Sequence, residues 1–574
     1  MILTDRQTDR QTGYPSVDKP WMKYYNQKAL SDENPAISIY EWIYTRNRKY
    51  EDYVAISYFG NQIRYKELFD EVERAASSFE ALGVKKGDIV TLALPNIPEN
   101  VICIYALNRI GAIANIIDLR CQGNDLIRYY NEVNSLVAVI SDIFLDNTLQ
   151  VLDKTRLSKI VIASPYDRLS TPLKAIMRRK INKAELDSLH ALTWKSFISK
   201  GSGEVKGIPG KTEETACILH TSGTTGEAKG VMLSNRCFNA MAFQCERDGY
   251  TYYPGDKCLN WVPPFLAYNA LMAMHLPLSL HMQIEMIPEY KPEKSAKNIM
   301  KYKPNHVMAG PADWVSFTNT KGIKDLSYLR SLSSGGDSLR AEEKHKINEI
   351  LKEHGCMGKI LQGYGMTEVG SAASSNLPQV DVDGSVGIPL PLMTFCIWDN
   401  EANREMKYDE EGEICIAGPT LMNGYYNKED ESKAVMRIHS DGRVWMHTGD
   451  LGRIDTNGCI YLEGRLKRII IQYNGMKINP YEIEATLLED TSIENCCVVG
   501  VPDIDHGTGA VPKAYVVLKP GLQELADQIE KQLREKCEKN LVERYRPKQI
   551  QFIEALPLTA NGKVDYRSLE GKDL

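Results

Sequence analysis

The 574-residue sequence contains no C-x-x-C pair, no Cys/His cluster at zinc spacing and no G-x-x-x-x-G-K-[ST] stretch. Thirteen cysteines are spread singly except for Cys496-Cys497. That pattern predicts reduced, mostly buried thiols in a cytoplasmic protein, with neither a disulfide framework nor a structural zinc. A Gly-Lys-Thr run at Gly210 to Thr212 does not restore the phosphate-loop pattern, because Val205 stands where its first glycine belongs. A standard P-loop kinase or ATPase is thereby disfavoured. Long apolar runs are also missing: Asn269 to Met282 is the longest weakly polar stretch, and its two histidines and one proline leave it short of the ~20 residues that span a bilayer. Basic excess is absent too. With 69 Lys and Arg against 75 Asp and Glu, a formal charge of −6 weighs against nucleic acid or an anionic membrane as the main partner. The first 25 residues carry acidic side chains, the imperfect repeat TDRQTDRQT and no apolar core, so they read as a loosely held lead-in and not as a secretory signal.

What is present is the composition of an ordinary globular protein, 43% hydrophobic and 25% charged, in a chain too long for one core. Residues 60 to 145 alternate helix and strand patterns. Leu68, Val72, Ala75, Ala76 and Phe79 recur at helical spacing, and KKGDIVTLAL and IANIIDLR read as buried strands. Residues 166 to 211 read as a surface excursion whose basic cluster Arg178-Arg179-Lys180 is a solvated helix face. Alternation resumes from 214 to 395, where HVMAGP and KILQGYG are strands running into glycine-containing loops, the place where ligands collect in open α/β sheets. Short β segments follow, with Asn457-Gly458 suited to a hairpin. The expectation is an α/β protein: a lead-in over 1–25, a large domain of α/β subdomains plus a β-rich subdomain over 26–466, and a small mobile α+β domain over 467–574.

The stretch HTSGTTGEAKG, residues 220 to 230, crowds hydroxyl residues and three glycines around one lysine. Read alone it is either an exposed turn or an anion cradle, in which glycines let backbone N–H groups approach an oxyanion and Lys229 supplies charge. Other stretches decide between these. In order, the chain carries TSGTTGEAKGV, SGGDSL, QGYGMTE, GEICIAGPTLMNGYYN, HTGDLGRID, GRLKRIIIQYNGMKINPYEIE and LTANGKVDY. The series resembles the signature of the adenylate-forming superfamily of acyl-CoA synthetases, peptide-synthetase adenylation domains and beetle luciferases, from about residue 40 onward. It is most like an acyl-CoA synthetase.

That resemblance implies a two-step reaction. A carboxylate is joined to the α-phosphate of ATP with loss of pyrophosphate, and a thiol, typically of CoA, then attacks the acyl-adenylate and releases AMP. Thr221, Ser222, Gly223, Thr224, Thr225 and Gly226 would supply donors to the β- and γ-phosphates, with Lys229 as a mobile countercharge. Gly335, Gly336 and Asp337 would frame the adenine. Gln362, Gly363, Tyr364, Gly365 and Met366 would form the nucleotide floor, Thr367 would bond the α-phosphate, and Glu368 would hold Mg²⁺. Asp450 and Arg465 would take the ribose. Lys563 is the implied catalytic lysine, holding the carboxylate and the α-phosphate in line. Lys467 would be the hinge about which the small domain turns, bringing Gly475 to the thiol path and Lys477 near phosphate.

The sequence departs from the family at VPPFLAYNA, where Leu266 stands in place of a histidine or aromatic ring. Leu266 also lacks the carboxylate that would meet an α-ammonium group. A hydrophobic or fatty carboxylic acid without an α-amino group is therefore expected, lined by Leu266, Tyr268, Asn269, Ala309, Gly310, Pro311 and Ser334. Two alternatives remain at this point: a ligase that loads a carrier-protein thiol, and a non-catalytic nucleotide-binding module.

Overall fold

The computed structural model describes residues 12–31, 36–169, 191–221, 228–559 and 563–570. Ser222 to Gly226 and the Arg178-Arg179-Lys180 cluster lie outside the described residues.

Two large sheets carry the bulk of the chain. A seven-stranded sheet has Ile89–Ala93 and Ile113–Ile116 at its centre and ends in the antiparallel pair Thr215–Thr221 and Lys229–Ser234. A nine-stranded sheet has a parallel core running through Ile360–Tyr364, Ser331–Ser334, His306–Ala309 and Lys257–Asn260. These strands are short and nearly all buried, as parallel strands covered on both faces must be. Helices cover them, including Tyr65–Ala81, which opens with Glu67 capping the Arg64 N–H and buries Leu68, Val72, Ala75, Ala76 and Phe79 along one stripe.

A six-stranded β-rich unit follows, built on the antiparallel strands Thr394–Asp399, Gly412–Ala417, Val444–Ile454 and Ile460–Arg465. The last two close the hairpin around Asn457-Gly458, where Gly458 takes φ +90°. Beyond the short turn Leu466–Arg468 the chain builds a three-stranded sheet with its own core of Ile483, Leu487, Val498, Val516 and Leu533. The core packing divides at the point where the motif pattern divides.

One expectation is corrected. From Thr12 onward the lead-in is docked, since Trp21 is buried against Leu377, Val380, Ile388 and Cys459, and Glu405 accepts from both the N–H and the hydroxyl of Ser16. A large aromatic with a cavity to fill outweighs the polar composition around it.

Candidate active site

The parallel strands of the nine-stranded sheet end at Ala309, Ser334 and Tyr364, side by side in register. Their carboxyl ends open on a cavity of about 850 Å³. Thr221 and Lys229 reach it from the other large sheet, where they face each other at the end of the antiparallel pair. Arg465 and Lys467 reach it from the junction between the β-rich unit and the small domain, and Lys563 from the small domain. Thus every major unit of the chain contributes to one wall.

The nucleotide-motif residues form a connected network. Tyr364 Oη donates to Asp450 Oδ2 at 2.6 Å, and Arg465 Nε pairs with Asp450 Oδ1 at 2.8 Å. Asp450 does not itself line the cavity; Tyr364 and Arg465 stand in front of it. Glu368 is buried and accepts from Tyr425 Oη at 2.9 Å. Burial raises its pKa, against the pull of Tyr425, Arg465 and Lys229. A buried carboxylate on a cavity wall, with cationic charge only at a distance, is the hard oxygen donor that Mg²⁺ prefers, and the residues present fit that ion. Lys229 is ion-paired with Glu431 and lies 4.7 Å over the Tyr425 ring.

Gly335, Gly336, Asp337, Gly363, Gly365, Met366 and Thr367 all line the same cavity. Gly365 is there by necessity: a Cβ on it would sit 1.8 Å from the Ser371 carbonyl oxygen. Lys563 sits on a loop whose base is pinned, Thr559 N–H donating to Lys563 O at 2.7 Å and Leu558 bridging Val564. Although the residue as a whole is exposed, its ammonium group faces the cavity. Burial of that group and the Arg465 guanidinium lower its pKa, while Asp337, Asp450 and Glu368 pull it back up.

The acid-side residues divide. Leu266, Tyr268, Gly310, Pro311 and Ser334 line the cavity, together with the apolar Phe265, Met272 and Met308. Asp313 fixes the Gly310 turn by accepting its N–H at 2.9 Å and the Ser295 hydroxyl at 2.6 Å. Ala309 and Asn269 do not line it. Ala309 alternates with Met308 along its strand and packs into the opposite core. The Asn269 amide is committed to Val262 O at 2.5 Å and Asn260 Oδ1 at 2.9 Å. Gln362 likewise lies off the cavity. Gly475 and Lys477 are also away from it, Lys477 being ion-paired with Glu401 on the β-rich unit. Of these small-domain residues, Lys563 is the one that lines the cavity.

Several lining residues escaped the sequence reading. Tyr425 was in a quoted motif but carries no charge to single it out. Asp248 lines the cavity as a buried carboxyl, pushed up by burial to about 8. The fold also gathers a Cys/His cluster, Cys415, His439 and His447, where spacing along the chain predicted none.

Comparison with known proteins places these features. Residues 43–426 match the family described as AMP-binding enzyme, and residues 482–563 match the AMP-binding enzyme C-terminal domain. The chain belongs to the AMP-binding enzyme family. It is 28% identical over 562 residues to a long-chain-fatty-acid–CoA ligase of Bacillus subtilis, covering 96% of this chain and 97% of that one. It is 29% identical over 520 residues to a probable 4-coumarate–CoA ligase of Dictyostelium discoideum, covering 87% and 88%. Its fold is similar to the crystal structure of an anthranilate CoA ligase in complex with anthranoyl-AMP, with TM-score 0.79 at 20% identity over 93% of this chain and 97% of that one.

Proposed function

We propose that the protein is an AMP-forming acyl-CoA synthetase: it activates a hydrophobic or fatty carboxylic acid with ATP through an acyl-adenylate and passes the acyl group to CoA. The observation that carries this reading is the convergence of Lys563, Arg465, Glu368 and Lys229 on one cavity whose other end is apolar. They come from segments up to 334 residues apart (563 − 229). The named activities of the relatives, long-chain fatty acid and 4-coumarate ligation to CoA, agree with an apolar acid.

In the first step the acid lies along Phe265, Leu266, Met272 and Met308 with its carboxylate toward Lys563. The Lys563 ammonium bridges the carboxylate and the α-phosphate, two anions that otherwise repel, and so holds them in line. Tyr364 and Gly335 receive the adenine, and Asp450, covered here by Tyr364 and Arg465, accepts from the ribose hydroxyls once the Arg465 side chain swings aside. Mg²⁺ held by Glu368 would neutralise phosphate charge as pyrophosphate leaves. Lys229 exchanges Glu431 for the departing pyrophosphate. In the second step the Lys563 loop must withdraw, and rotation at Leu466–Arg468 brings the Gly475 loop to the same opening. No helix among the described residues is long and apolar enough to cross a membrane. The thirteen free cysteines, twelve of them buried, suit a reducing compartment, and we place the enzyme in the cytoplasm.

The test is acid-dependent exchange of labelled pyrophosphate into ATP over fatty and aryl acids, followed by addition of CoA. Exchange with apolar acids and CoA-dependent AMP release are expected. Absence of exchange with every acid would overturn the reading, and exchange without CoA transfer would move it to a carrier-protein thiol.

A further inference from the structure

The cluster at the start of the HTGD motif is made of side chains that no step above uses. Cys415 is on Gly412–Ala417, His447 on Val444–Ile454, and His439 just beyond Met436–Ile438. One donor atom from each lies within 4.8 Å of the other two. His439 Nε2 is 3.0 Å from His447 Nε2, while Cys415 Sγ lies 3.4 Å from the other nitrogen of that ring, Nδ1, so the thiol would have to turn toward Nε2 to join the same ion. Nitrogen ligands on one tetrahedral zinc, each bonded at about 2.0–2.1 Å, sit roughly 3.3 Å apart. The two imidazoles are already at that spacing.

We propose that Cys415, His439 and His447 form a binding site for a borderline-soft divalent cation of the zinc class. The surroundings are those of a prepared site. His447 Nδ1–H donates to Glu413 Oε2 at 2.7 Å, which leaves Nε2 with its lone pair toward His439. Glu413 is itself fixed, accepting from Asn400 Nδ2 at 2.8 Å and Gly449 N–H at 2.9 Å. A carboxylate behind a histidine ligand sets its tautomer and raises its basicity. The His439 ring is held between two indoles, Trp398 at 3.9 Å and Trp445 at 5.2 Å between centroids, both nearly parallel to it. Cys396, Trp398, Cys415, Ala417 and Trp445 form a separate apolar cluster that surrounds the thiol and keeps water from it. Cys396 stands directly across the strand ladder from Cys415, so a second thiol is beside the first.

Thiolate with imidazole selects zinc-like ions over Mg²⁺, which takes oxygen ligands, so the site is chemically distinct from Glu368. Three protein ligands leave a fourth position for water or for the neighbouring thiol. Because His447 also lines the large cavity, the ion would tie the turn after Ile438 to the strand that carries Asp450. Binding would exchange the Cys415 S–H proton for the metal and release it to solvent.

The experiment is titration of the chelator-treated full-length enzyme with Co²⁺, without nucleotide, following the thiolate-to-cobalt charge-transfer absorption. One equivalent should bind with that band, and one equivalent of Zn²⁺ should abolish it. Cys415→Ser should remove the band, and His439→Gln should weaken Co²⁺ binding at least tenfold, with circular dichroism reporting that each variant is folded. If Cys415→Ser fails to fold, His439→Gln alone decides. The proposal is overturned if wild-type protein shows no stoichiometric band, if the band survives Cys415→Ser, or if folded His439→Gln binds as tightly as wild type.

Discussion

At the scale of single residues, the site works by placing charges where a cation or anion must come to complete them. Glu368 is the clearest instance, a buried carboxyl that accepts from the Tyr425 hydroxyl at 2.9 Å. Glu368→Gln keeps the shape and removes the charge. Adenylation should fall roughly 10²-fold, in the range for loss of one transition-state electrostatic contact, and raised Mg²⁺ should not restore it; Mg²⁺-dependent exchange kinetics check this. Lys563 has the opposite problem, a cation beside Arg465 in a poorly solvated place. Its lowered pKa means that the ammonium form is lost at a lower pH than for a free lysine. The adenylation rate should therefore decline on the alkaline side earlier than lysine's ordinary value near 10.5 would give, as a pH–rate profile would reveal.

Single residues are also where the sequence was most and least informative. Tyr364, Glu368 and Arg465 were legible because they sit in ordered motifs, each with a chemical reason for its residue type. Ala309 and Asn269 were misread because position in a motif does not tell which way a side chain turns. Ala309 follows Met308 in a strand, and a one-residue step there is a change of face. The Asn269 amide was read as substrate-facing when its buried neighbours Asn260 and Val262 O required a partner.

At the scale of elements, the strand ends and the loops after them hold the chemistry, and backbone geometry sets their tolerance. Gly365 follows the strand Ile360–Tyr364, with no room for a methyl group beside the Ser371 carbonyl. Gly365→Ala should shift the loop carrying Thr367 and Glu368, cost about 1–3 kcal/mol, and raise KM for ATP along with a lower melting temperature. A melting temperature and KM equal to wild type would show that the loop has slack which the packing does not suggest. The alternating pattern and the Asn457-Gly458 hairpin were readable because they are local. The Cys415, His439 and His447 cluster was not, since three strands of the β-rich unit must pair before the residues meet.

At the scale of the whole molecule, buried histidines couple the fold to pH. His220 and His275 are held near pKa 3 and His281 near 4, mainly by burial, and their rings bond neutral partners: Asn115 for His220, Tyr105 and Asn239 for His275, Asn47 for His281. The unfolded chain protonates these rings near 6.5 and the folded one does not. Their contribution to stability is full above about pH 6.5 and is lost as pH falls toward 4, up to about 1.4 kcal/mol per pH unit for each ring. The melting temperature should drop steadily from pH 7 to 5, and His275→Gln should flatten that slope; an unchanged slope would remove His275 from the account. The division into a large and a small domain was legible from the motif order and from the separate hydrophobic pattern after the β-rich unit. The face presented here, Lys563 in and Lys477 out on Glu401, was not, because sequence carries no record of which arrangement is occupied.

The most direct measurement of the central claim compares Lys563→Ala with wild type in acid-dependent pyrophosphate exchange, with ATP binding measured alongside. The account predicts exchange reduced by at least roughly 10²-fold with the Kd for ATP changed less than about threefold, as expected when a contact made chiefly in the transition state is removed. Exchange at the wild-type rate would contradict it.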